Sequence, residues 1–443
     1  MGAPPVRLIP KDVEIAAGLR LLSAIQAVYE RTDGRLGSQI GPLQLLLLRT
    51  RGRKSGQQRT ACLLYVTDGG RPAVIGSKGG SDTPPAWVLN LQADPDAEIQ
   101  VGTLRWPVRA RFTAATDFLD SNLEAGRAGK VAIRTQEGDR TYGEVAEEAN
   151  RWGNALRELH VEMENQVLIA VLDGPEFANA FFGSIKSGAV PIPVNTNLKP
   201  HDYAYFLNDS RAKVALVSAP LADAFRQVRG ECRFLRQLAV IGEVGAGELS
   251  FAELLQGARA QLTPADTSRD DMCFWLYSSG TTGFPKGTVH LQHDMRFCTE
   301  SYAKQVLGMT EDDVTFSVAK LYFAYGLGNA LYFPFGVGAS TVHLAGPPAP
   351  GTLLPLVRHF RPTLYFSVPT SYAATLAADP EVWEQADFSS VRACVSAGEP
   401  LAGSILERWQ HRTGVEILDG IGSTEICHIF VSNRPGQVRP DSS

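Results

Sequence analysis

Long apolar runs are missing from this chain of 443 residues. No uninterrupted apolar stretch approaches the roughly 20 residues that a membrane-spanning helix needs, and the opening residues, MGAPPVRLIPKDVE, lack the apolar core of a signal peptide. Cysteine is also scarce, with six residues far apart and no Cys-x-x-Cys pair. A disulfide framework is therefore not indicated, and we expect reduced, mostly buried thiols in a cytoplasmic protein without a transmembrane segment.

Acidic charge is scarce at the start of the chain. Residues 1–116 carry fifteen Lys or Arg against nine Asp or Glu, a net charge of +6, whereas the whole chain has a net charge of −5. A basic first part suits an anionic ligand or surface, and the acidic remainder argues against general nucleic-acid binding. On charge alone, an uninformative scatter of surface charges remains an equally good interpretation.

The first part of the sequence has short elements. Apolar residues three and four apart predict an amphipathic helix from Asp12 to about Glu30. Runs of strand-forming residues separated by glycine-rich turns then predict a small antiparallel sheet or barrel. The predicted strands are Leu43 to Leu48, Cys62 to Val66, Ala73 to Gly76, Glu98 to Val101 and Leu104 to Arg111.

After about Ala115, strand-like runs alternate with helical ones. Val167 to Leu172, Glu176 to Ser187 and Val190 to Val194 give the first strand, helix and strand. This alternation is typical of a parallel α/β sheet with right-handed crossovers. Further strands are predicted at Lys213 to Ser218, Gln237 to Ile241, Val314 to Val318, Ser340 to Leu344, Thr363 to Val368, Val391 to Ser396 and Val415 to Leu418.

Residues 277–287 read YSSGTTGFPKG and follow the apolar run that ends at Tyr277. Glycines let a backbone approach a polyphosphate closely, and the hydroxyls add donors. The order Gly-Phe-Pro-Lys-Gly lacks the Gly-Lys-Ser/Thr of a P-loop, which disfavours a P-loop NTPase. The segment resembles the signature loop of adenylate-forming enzymes, the acyl- and aryl-CoA ligase superfamily.

Two further motifs extend this resemblance to roughly residues 118–440. They are SAGEPL at residues 396–401 and DGIGSTE at residues 419–425, each directly after a predicted strand. The resemblance implies an α/β fold with parallel sheets and helices, the large N-terminal domain of an adenylate-forming enzyme. The small antiparallel sheet or barrel predicted above precedes it. The resemblance also implies binding of ATP, Mg²⁺ and coenzyme A, with Glu425 as the magnesium ligand.

The resemblance assigns roles to individual residues. The implied catalytic residues are Thr281, Lys286, Thr424 and Glu425. The implied nucleotide-binding residues are Ser278, Ser279, Gly280, Thr281, Thr282, Gly283, Lys286, Gly398, Glu399, Gly422 and Thr424.

The stretches AKLYFAYGLGN at residues 319–329 and DGIGSTEICHIF at residues 419–430 resemble the benzoate-CoA ligase branch in particular. An aromatic carboxylate is then the implied substrate. Small walls leave room for a flat ring, and His428 could approach the carboxylate, favourably so if its imidazole is protonated. The implied pocket, called the acyl pocket below, consists of Ala324, Tyr325, Ala397, Gly422, His428 and Ile429.

A pair of histidines, His290 and His293, lies close to the signature loop. Two histidines three residues apart could indicate a metal site, but the sequence shows no third ligand. We therefore interpret them as ordinary residues on a helix surface.

The segments RTRGRKSGQQRTACLLY at residues 49–65 and SKGGSDTPPAWVLNLQADP at residues 77–95 resemble the deazaflavin-dependent nitroreductase family, small split-barrel proteins that bind coenzyme F-420. Pro84 and Val88 replace a His and a Tyr that this family often has, which predicts binding rather than efficient reduction. The implied coenzyme-binding residues are Arg53, Lys54, Ser55, Gly56, Arg59 and Lys78.

The predicted domains are residues 1–115, split-barrel-like, and residues 116–443, ligase-like. No mobile C-terminal lid domain of the ligase family is found before Ser443, so we expect impaired turnover. The leading hypothesis is an aromatic acid CoA ligase that converts an aryl carboxylate to its adenylate and then its thioester. The alternatives are a deazaflavin-binding oxidoreductase and a ligand-binding remnant without catalysis.

Overall fold

The computed structural model describes residues 22–41, 43–68, 71–74, 85–110, 113–278 and 283–439. The chain divides into two compact units, Met1–Arg111 and Phe112–Ser443. The division at residue 115 that the sequence predicts stays a prediction about domains, and each unit is described by itself.

The described part of the first unit is an antiparallel sheet with two helices. Its strand order is β4-β3-β2-β5-β6, with β1 beside β2, which confirms the predicted antiparallel arrangement. The predicted helix is present over residues 22–31 as α1, and its earlier residues lie outside the described part. The other elements are β1 Gln39–Ile40, β2 Leu43–Arg51, β3 Gln58–Asp68, β4 Arg71–Val74, α2 Ala86–Ala93, β5 Asp96–Val101 and β6 Leu104–Arg109.

Tyr29 of α1 ties this helix to the sheet. Its side chain is fully buried beside Leu45 and Leu47 of β2. The hydroxyl oxygen accepts a hydrogen bond of 2.7 Å from the backbone N–H of Gly102 and lies 3.2 Å from the carbonyl oxygen of Gln100. Gly102 has a φ of 57°, a left-handed conformation that glycine adopts without strain. The small core is therefore closed by one tyrosine that also fixes the β5–β6 turn.

The second unit is an α/β structure, as the sequence predicts. Its strands in the described residues are β7 Val131–Arg134, β8 Arg140–Thr141, β9 Gln166–Ala170, β10 Val190–Pro193, β11 Val214–Ser218, β12 Gln237–Ile241, β13 Leu249–Ser250, β14 Met272–Ser278, β15 Lys286–Leu291, β16 Val314–Ser317, β17 Ser340–Val342, β18 Leu364–Ser367, β19 Ala393–Ala397, β20 Ile417–Gly422 and β21 Ile429–Ser432.

The helices of this unit connect and cover the strands. Single helical turns also occur at Thr116–Asp120, Thr299–Lys304, Gly328–Tyr332 and Thr424–Ile426. The helices in the described residues are α3 Ser121–Glu124, α4 Tyr142–Glu158, α5 Pro175–Ser187, α6 Pro200–Ser210, α7 Ala222–Val228, α8 Phe251–Gly257, α9 Asp294–Cys298, α10 Ala324–Leu327, α11 Phe333–Val337, α12 Pro350–Phe360, α13 Pro369–Leu376, α14 Pro380–Trp383 and α15 Gly403–Thr413.

The described strands form two main sheets and a hairpin. One sheet has the order β10-β9-β11-β12-β13 and is parallel, whereas the other has the order β21-β20-β19-β18-β16-β17-β7-β8 with antiparallel pairs at its two ends. The strands β14 and β15 pair with each other in an antiparallel hairpin. The predicted strands are confirmed, but their division between two sheets was not predicted.

Alternating residues of a strand belong to different hydrophobic cores. In β19, Val395 belongs to the core shared with α4 and α5, and Cys394 belongs to the core covered by α12, α13 and α15. The five-stranded sheet has a third core against α6 and α7. Strands buried on both faces read as continuous apolar runs, which explains why the sequence predicted them.

All six cysteines lie in the described ranges, and each is buried and unpaired. This confirms the prediction of reduced, buried thiols. Among the described helices, none combines the length and apolar character that crossing a membrane would require.

Helices α4 and α5 pack closely through glycines. A Cβ atom on Gly183 of α5 would lie 2.3 Å from the carbonyl oxygen of Ala149 and 3.1 Å from Cδ1 of Trp152. Backbone atoms at the first contact leave no flexible group that could move aside. The absence of a side chain at Gly183 thus sets how closely the two helices approach.

We expect Gly183→Ala to lower the free energy of unfolding by about 1–3 kcal/mol, because the added methyl group overpacks this contact. Gly129→Ala is the matched control, since a Cβ there would meet nothing within 4 Å. Urea unfolding followed by circular dichroism measures both. Equal effects of the two substitutions would contradict the close packing of α4 on α5.

Candidate active site

The three central motifs meet at one edge of the eight-stranded sheet. Ser396 of β19 is paired in register with Ser367 of β18 on one side and with Asp419 of β20 on the other. Because the carboxyl ends of parallel strands share an edge, the segments after β19 and β20 are neighbours. Gly398 and Glu399 follow β19 and are exposed, and the φ of 93° at Gly398 is a conformation that favours glycine.

Glu425 and Ser278 bring the last motif and the signature loop together. The Ser278 hydroxyl donates a hydrogen bond of 3.4 Å to Oε1 of Glu425 across 147 residues of sequence. Ser278 ends β14 and is paired in register with Lys286, the first residue of β15. The structure therefore gathers a hydroxyl, an exposed cation and an exposed carboxylate at the mouth of the hairpin.

The tip of the signature loop lies outside the described residues, namely Ser279, Gly280, Thr281 and Thr282. The described part of the chain resumes at Gly283, whose φ of 103° is a backbone conformation that favours glycine. The roles implied for these loop residues remain predictions.

The Glu425 carboxylate is held in its charged form. Its own backbone N–H and the Ser423 hydroxyl donate to it, Ser278 adds a third contact, and together they hold its pKa below the ordinary value. An ionised, exposed carboxylate is a suitable hard-oxygen ligand for Mg²⁺, which takes one or two protein carboxylates together with substrate phosphates. In the part of the chain that the structure describes, no cluster of three or more His, Cys, Asp or Glu side chains could hold a metal by itself.

The acyl pocket residues lie on or beside four elements, α10, β19, β20 and β21. Tyr325 of α10 donates its hydroxyl toward the backbone oxygens of Ser367 and Val395, at 3.2 and 3.1 Å. Ala397 is buried at the end of β19, two residues beyond Val395. The Tyr325 hydroxyl is therefore held by hydrogen bonds to the ends of β18 and β19.

The second half of the acyl pocket lies between β20 and β21. Gly422 is paired in register with Ile429, and a Cβ on Gly422 would lie only 2.8 Å from the carbonyl oxygen of His428. The His428 and Tyr325 ring centroids are 5.4 Å apart. The structure thus brings Tyr325, Gly422, His428 and Ile429 together, with Ala324 partly buried against the same core.

The electrostatic interpretation of His428 requires a correction. Burial lowers the pKa of His428 to about 3, although the backbone oxygen of Tyr325 opposes this effect. The side chain is 2% exposed. The imidazole of His428 is therefore neutral and not protonated. No carboxylate in the described residues pairs with this side chain, so nothing offsets the cost of burying its charge.

The backbone between Glu425 and His428 turns sharply at Cys427. Its φ of 68° is rare for a residue other than glycine. Glu425 is exposed before the turn, and His428 is buried after it. The strained residue therefore separates a charged, solvent-facing group from a neutral, enclosed one within four positions.

Three residues beside His428 were missed as site residues. Asn329 Oδ1 lies 2.9 Å from His428 Nε2, and the rings of Tyr302 and Phe333 are centred 5.4 and 4.5 Å from the imidazole. Asn329 closes the motif at residues 319–329 that pointed to the acyl pocket, so the signal was available. Tyr302 and Phe333 carried no sequence signal.

The prediction for His290 was wrong. His290 lies on strand β15, is 1% exposed and stacks on Phe274 with ring centroids 4.7 Å apart. Its Nδ1 is 3.4 Å from Sγ of Cys427. His293 directly precedes α9. Pairing of β15 with β14, which depends on tertiary structure, places His290 in the core.

The first unit presents a tight basic loop. Residues 52–57 are closed by a hydrogen bond of 2.8 Å from Gly52 N–H to the Gln57 carbonyl oxygen. Buried Asn90 of α2 supports the loop by accepting a bond of 3.2 Å from the Arg53 backbone. This support was not predicted. The loop residues Arg53, Lys54, Ser55 and Gly56 and the adjacent Arg59 are exposed, and Lys78 lies outside the described residues.

Comparisons with known families agree with this geometry. The profile of the family "AMP-binding enzyme" matches residues 121–443. The chain belongs to the AMP-binding enzyme family. Residues 22–118 match the family "F-420H(2)-dependent quinone reductase". The deazaflavin-type resemblance of the first unit is thus confirmed, with quinone reductase in place of nitroreductase as the matching family.

Curated and solved relatives each match about three quarters of the chain. A benzoate–CoA ligase of Thauera aromatica is 48% identical over 334 residues, which are 75% of this chain and 63% of the relative. A 4-hydroxybenzoate–CoA/benzoate–CoA ligase of Rhodopseudomonas palustris is 40% identical over 332 residues, 75% of this chain and 61% of the relative. The chain therefore spans less than two thirds of the length of these enzymes.

Two solved structures are similar to most of the chain. An anthranilate CoA ligase in complex with anthranoyl-AMP gives a TM-score of 0.72 at 41% identity, covering 76% of this chain and 64% of that one. A benzoate CoA ligase of Burkholderia xenovorans gives a TM-score of 0.69 at 41% identity, covering 74% and 64%. These matches confirm the predicted fold class of an adenylate-forming enzyme.

The low pKa of His428 makes stability depend on pH. Between pH 6.5 and about 3, the unfolded chain binds a proton that the folded protein excludes, so stability falls as the pH decreases. Between pH 6.5 and 5, we expect the free energy of unfolding of His428→Gln to fall by about 1.6 kcal/mol less than that of the wild type. Urea unfolding at the two pH values measures this, with His201→Gln at an exposed position as the control. An unchanged pH dependence in His428→Gln would contradict a buried neutral imidazole.

Proposed function

We propose that the second unit activates an aromatic carboxylate with ATP, as the first half-reaction of an aromatic acid CoA ligase. The observation that carries this proposal is the contact between Ser278 and Glu425, which joins the signature loop to the last motif beside the acyl pocket. The named activities of the relatives support it. We also propose that residues 1–115 and 116–443 are separate domains.

The charged groups suit the attack of a carboxylate on the α-phosphate of ATP. Pyrophosphate leaves in this step, so charge on phosphate oxygens must be neutralised. Lys286 would bind these oxygens, and Glu425 would hold Mg²⁺, which neutralises phosphate charge when bound. The nucleotide contacts that complete this proposal are Ser278, Ser279, Gly280, Thr281, Thr282, Gly283, Gly398, Glu399, Gly422 and Thr424.

The acyl pocket suits a flat ring. Ala397 and Gly422 contribute little volume, and the rings of Tyr325 and His428 provide aromatic walls for stacking. Because His428 is neutral, the carboxylate of the substrate would be paired by groups on the nucleotide side. This arrangement separates recognition of the ring from neutralisation of charge.

The second half-reaction is proposed from the relatives alone. In it, the thiol of coenzyme A attacks the acyl carbon of the adenylate, the bond to AMP breaks, and a thioester forms. The described residues carry no observation that singles out a thiol path, so adenylation is the step to test first.

Benzoate-dependent exchange of labelled pyrophosphate into ATP tests adenylation without coenzyme A. We expect exchange by the full chain and a loss of roughly 100-fold in Glu425→Gln, because the substitution removes the negative charge that holds the metal. Glu407→Gln removes a charge at an exposed position on α15 and should leave the exchange unchanged.

Folded protein that binds benzoate and ATP without exchanging pyrophosphate would refute adenylation. That result would favour the alternative of a ligand-binding protein without catalysis. Equal activity of Glu425→Gln and wild type would remove Glu425 from the site while leaving the rest of the proposal intact.

A second candidate function is coenzyme F-420 binding by the first unit. The match over residues 22–118 and the exposed basic loop support it, because Arg and Lys side chains bind phosphate and carboxylate groups of the type that this coenzyme carries. The proposed contacts are Arg53, Lys54, Ser55, Gly56, Arg59 and Lys78.

We expect Arg59→Gln to weaken coenzyme F-420 binding about tenfold, since a charge-assisted hydrogen bond contributes about 1.5–3 kcal/mol. Quenching of the coenzyme's fluorescence on titration measures the affinity. Arg31→Gln on α1, also exposed, is the matched control. Equal affinities of the two variants and the wild type would contradict binding at this loop.

A further inference from the structure

A directed chain of hydrogen bonds lies behind the acyl pocket. The Ser317 hydroxyl donates to the backbone oxygen of Ala319 at 3.0 Å. Its lone pairs then accept from Nδ2 of Asn329, at 3.5 Å. A hydroxyl that already donates to a carbonyl can only accept from a second group. The amide of Asn329 is thereby oriented, with its nitrogen toward Ser317.

The opposite end of the Asn329 amide faces His428. Oδ1 of Asn329 lies 2.9 Å from Nε2 of His428, and the backbone oxygen of Tyr325 lies 3.2 Å from the same nitrogen. Both neighbours are acceptors, so Nε2 must carry the proton. The Nδ1 atom of His428 is buried and has no hydrogen-bond partner in the described residues.

The other neutral tautomer would be costly here. It would place the lone pair of Nε2 against two oxygen atoms. The backbone oxygen of Tyr325 would keep the N–H of Gly328 as a donor, but Oδ1 of Asn329 would lose the donor that His428 provides, and an unsatisfied buried group costs about 1–3 kcal/mol. The ring is also held in place, because a Cβ on Gly328 would lie 2.4 Å from its Cδ2 atom. Asn329 itself has no exposed surface.

We propose that Asn329 is a positioning residue, which holds His428 in the Nε2–H tautomer and in the orientation that forms one wall of the acyl pocket. This inference rests on the proposed function for the identity of that pocket. Asn329 would not touch the substrate. It would act through His428 on the affinity for the aromatic acid and leave the affinity for ATP unchanged.

The first test leaves Asn329 unchanged. Long-range proton–nitrogen correlation spectra of the full chain with labelled histidine, assigned with His428→Gln, distinguish the two tautomers. We expect Nε2–H in the wild type at neutral pH. An Nδ1–H tautomer would overturn the proposal, because Asn329 would then not be accepting from His428.

The second test uses Asn329→Leu, which keeps the approximate volume and removes the acceptor. We expect a mixture of tautomers at His428 and a three- to tenfold weaker affinity for benzoate in calorimetric titration, the effect of one lost hydrogen bond. The affinity for ATP should stay within about twofold. Asn154→Leu is the control, since Asn154 is also a buried amide but donates to the backbone oxygens of Arg259 and Gln261 instead.

A pure Nε2–H tautomer and unchanged benzoate affinity in Asn329→Leu would refute the role. If this variant does not fold, the wild-type tautomer decides the question. Failure of the proposed function can be told apart from failure of this inference. If the wild type does not bind benzoate, the spectra still report the tautomer of His428.

Discussion

Burial of the parallel strands on both faces is the constraint on which this structure depends. The eight-stranded sheet packs on α4 and α5 with one face and on α12, α13 and α15 with the other. Its strands therefore cannot present charged groups along their length without a large desolvation cost. The exposed charged groups of the candidate site lie in the turns that follow the strands. Glu399 and Glu425, which follow β19 and β20, are examples.

The same constraint divides the candidate site into a charged half and a neutral half. Lys286 and Glu425 lie at the exposed mouth of the β14–β15 hairpin and are solvated. His428 follows Glu425 by three residues, yet it is enclosed by aromatic rings and uncharged. The left-handed backbone of Cys427 makes this change of environment possible. The strained backbone at Cys427 thus lets the segment 425–428 place Glu425 in solvent and His428 in an apolar environment.

The sequence predicts the strands and motifs well because both are local. Val395 and its neighbours form an apolar run that predicts a strand from local sequence alone. The turn at Gly398 is likewise indicated by the local motif SAGEPL. The assignment of strands to two sheets depends on which faces α4 and α5 cover, and no local pattern encodes that. The position of His290 was predicted wrongly for the same reason, since pairing of β15 with β14 decides its burial. The neutral state of His428 follows from its enclosure by Tyr302 and Phe333, which are distant from it in sequence.

A neutral wall changes how the pocket would select a substrate. A protonated His428 would attract any anion, whereas an uncharged imidazole contributes shape and aromatic contact. The negative charge of the aryl acid would then be matched by the nucleotide half of the site, where it reacts. In the proposed function, binding energy at the ring and charge neutralisation at the phosphate would come from separate residues, so ring recognition could vary without altering the chemistry of activation. The relatives named for benzoate, 4-hydroxybenzoate and anthranilate are consistent with that separation.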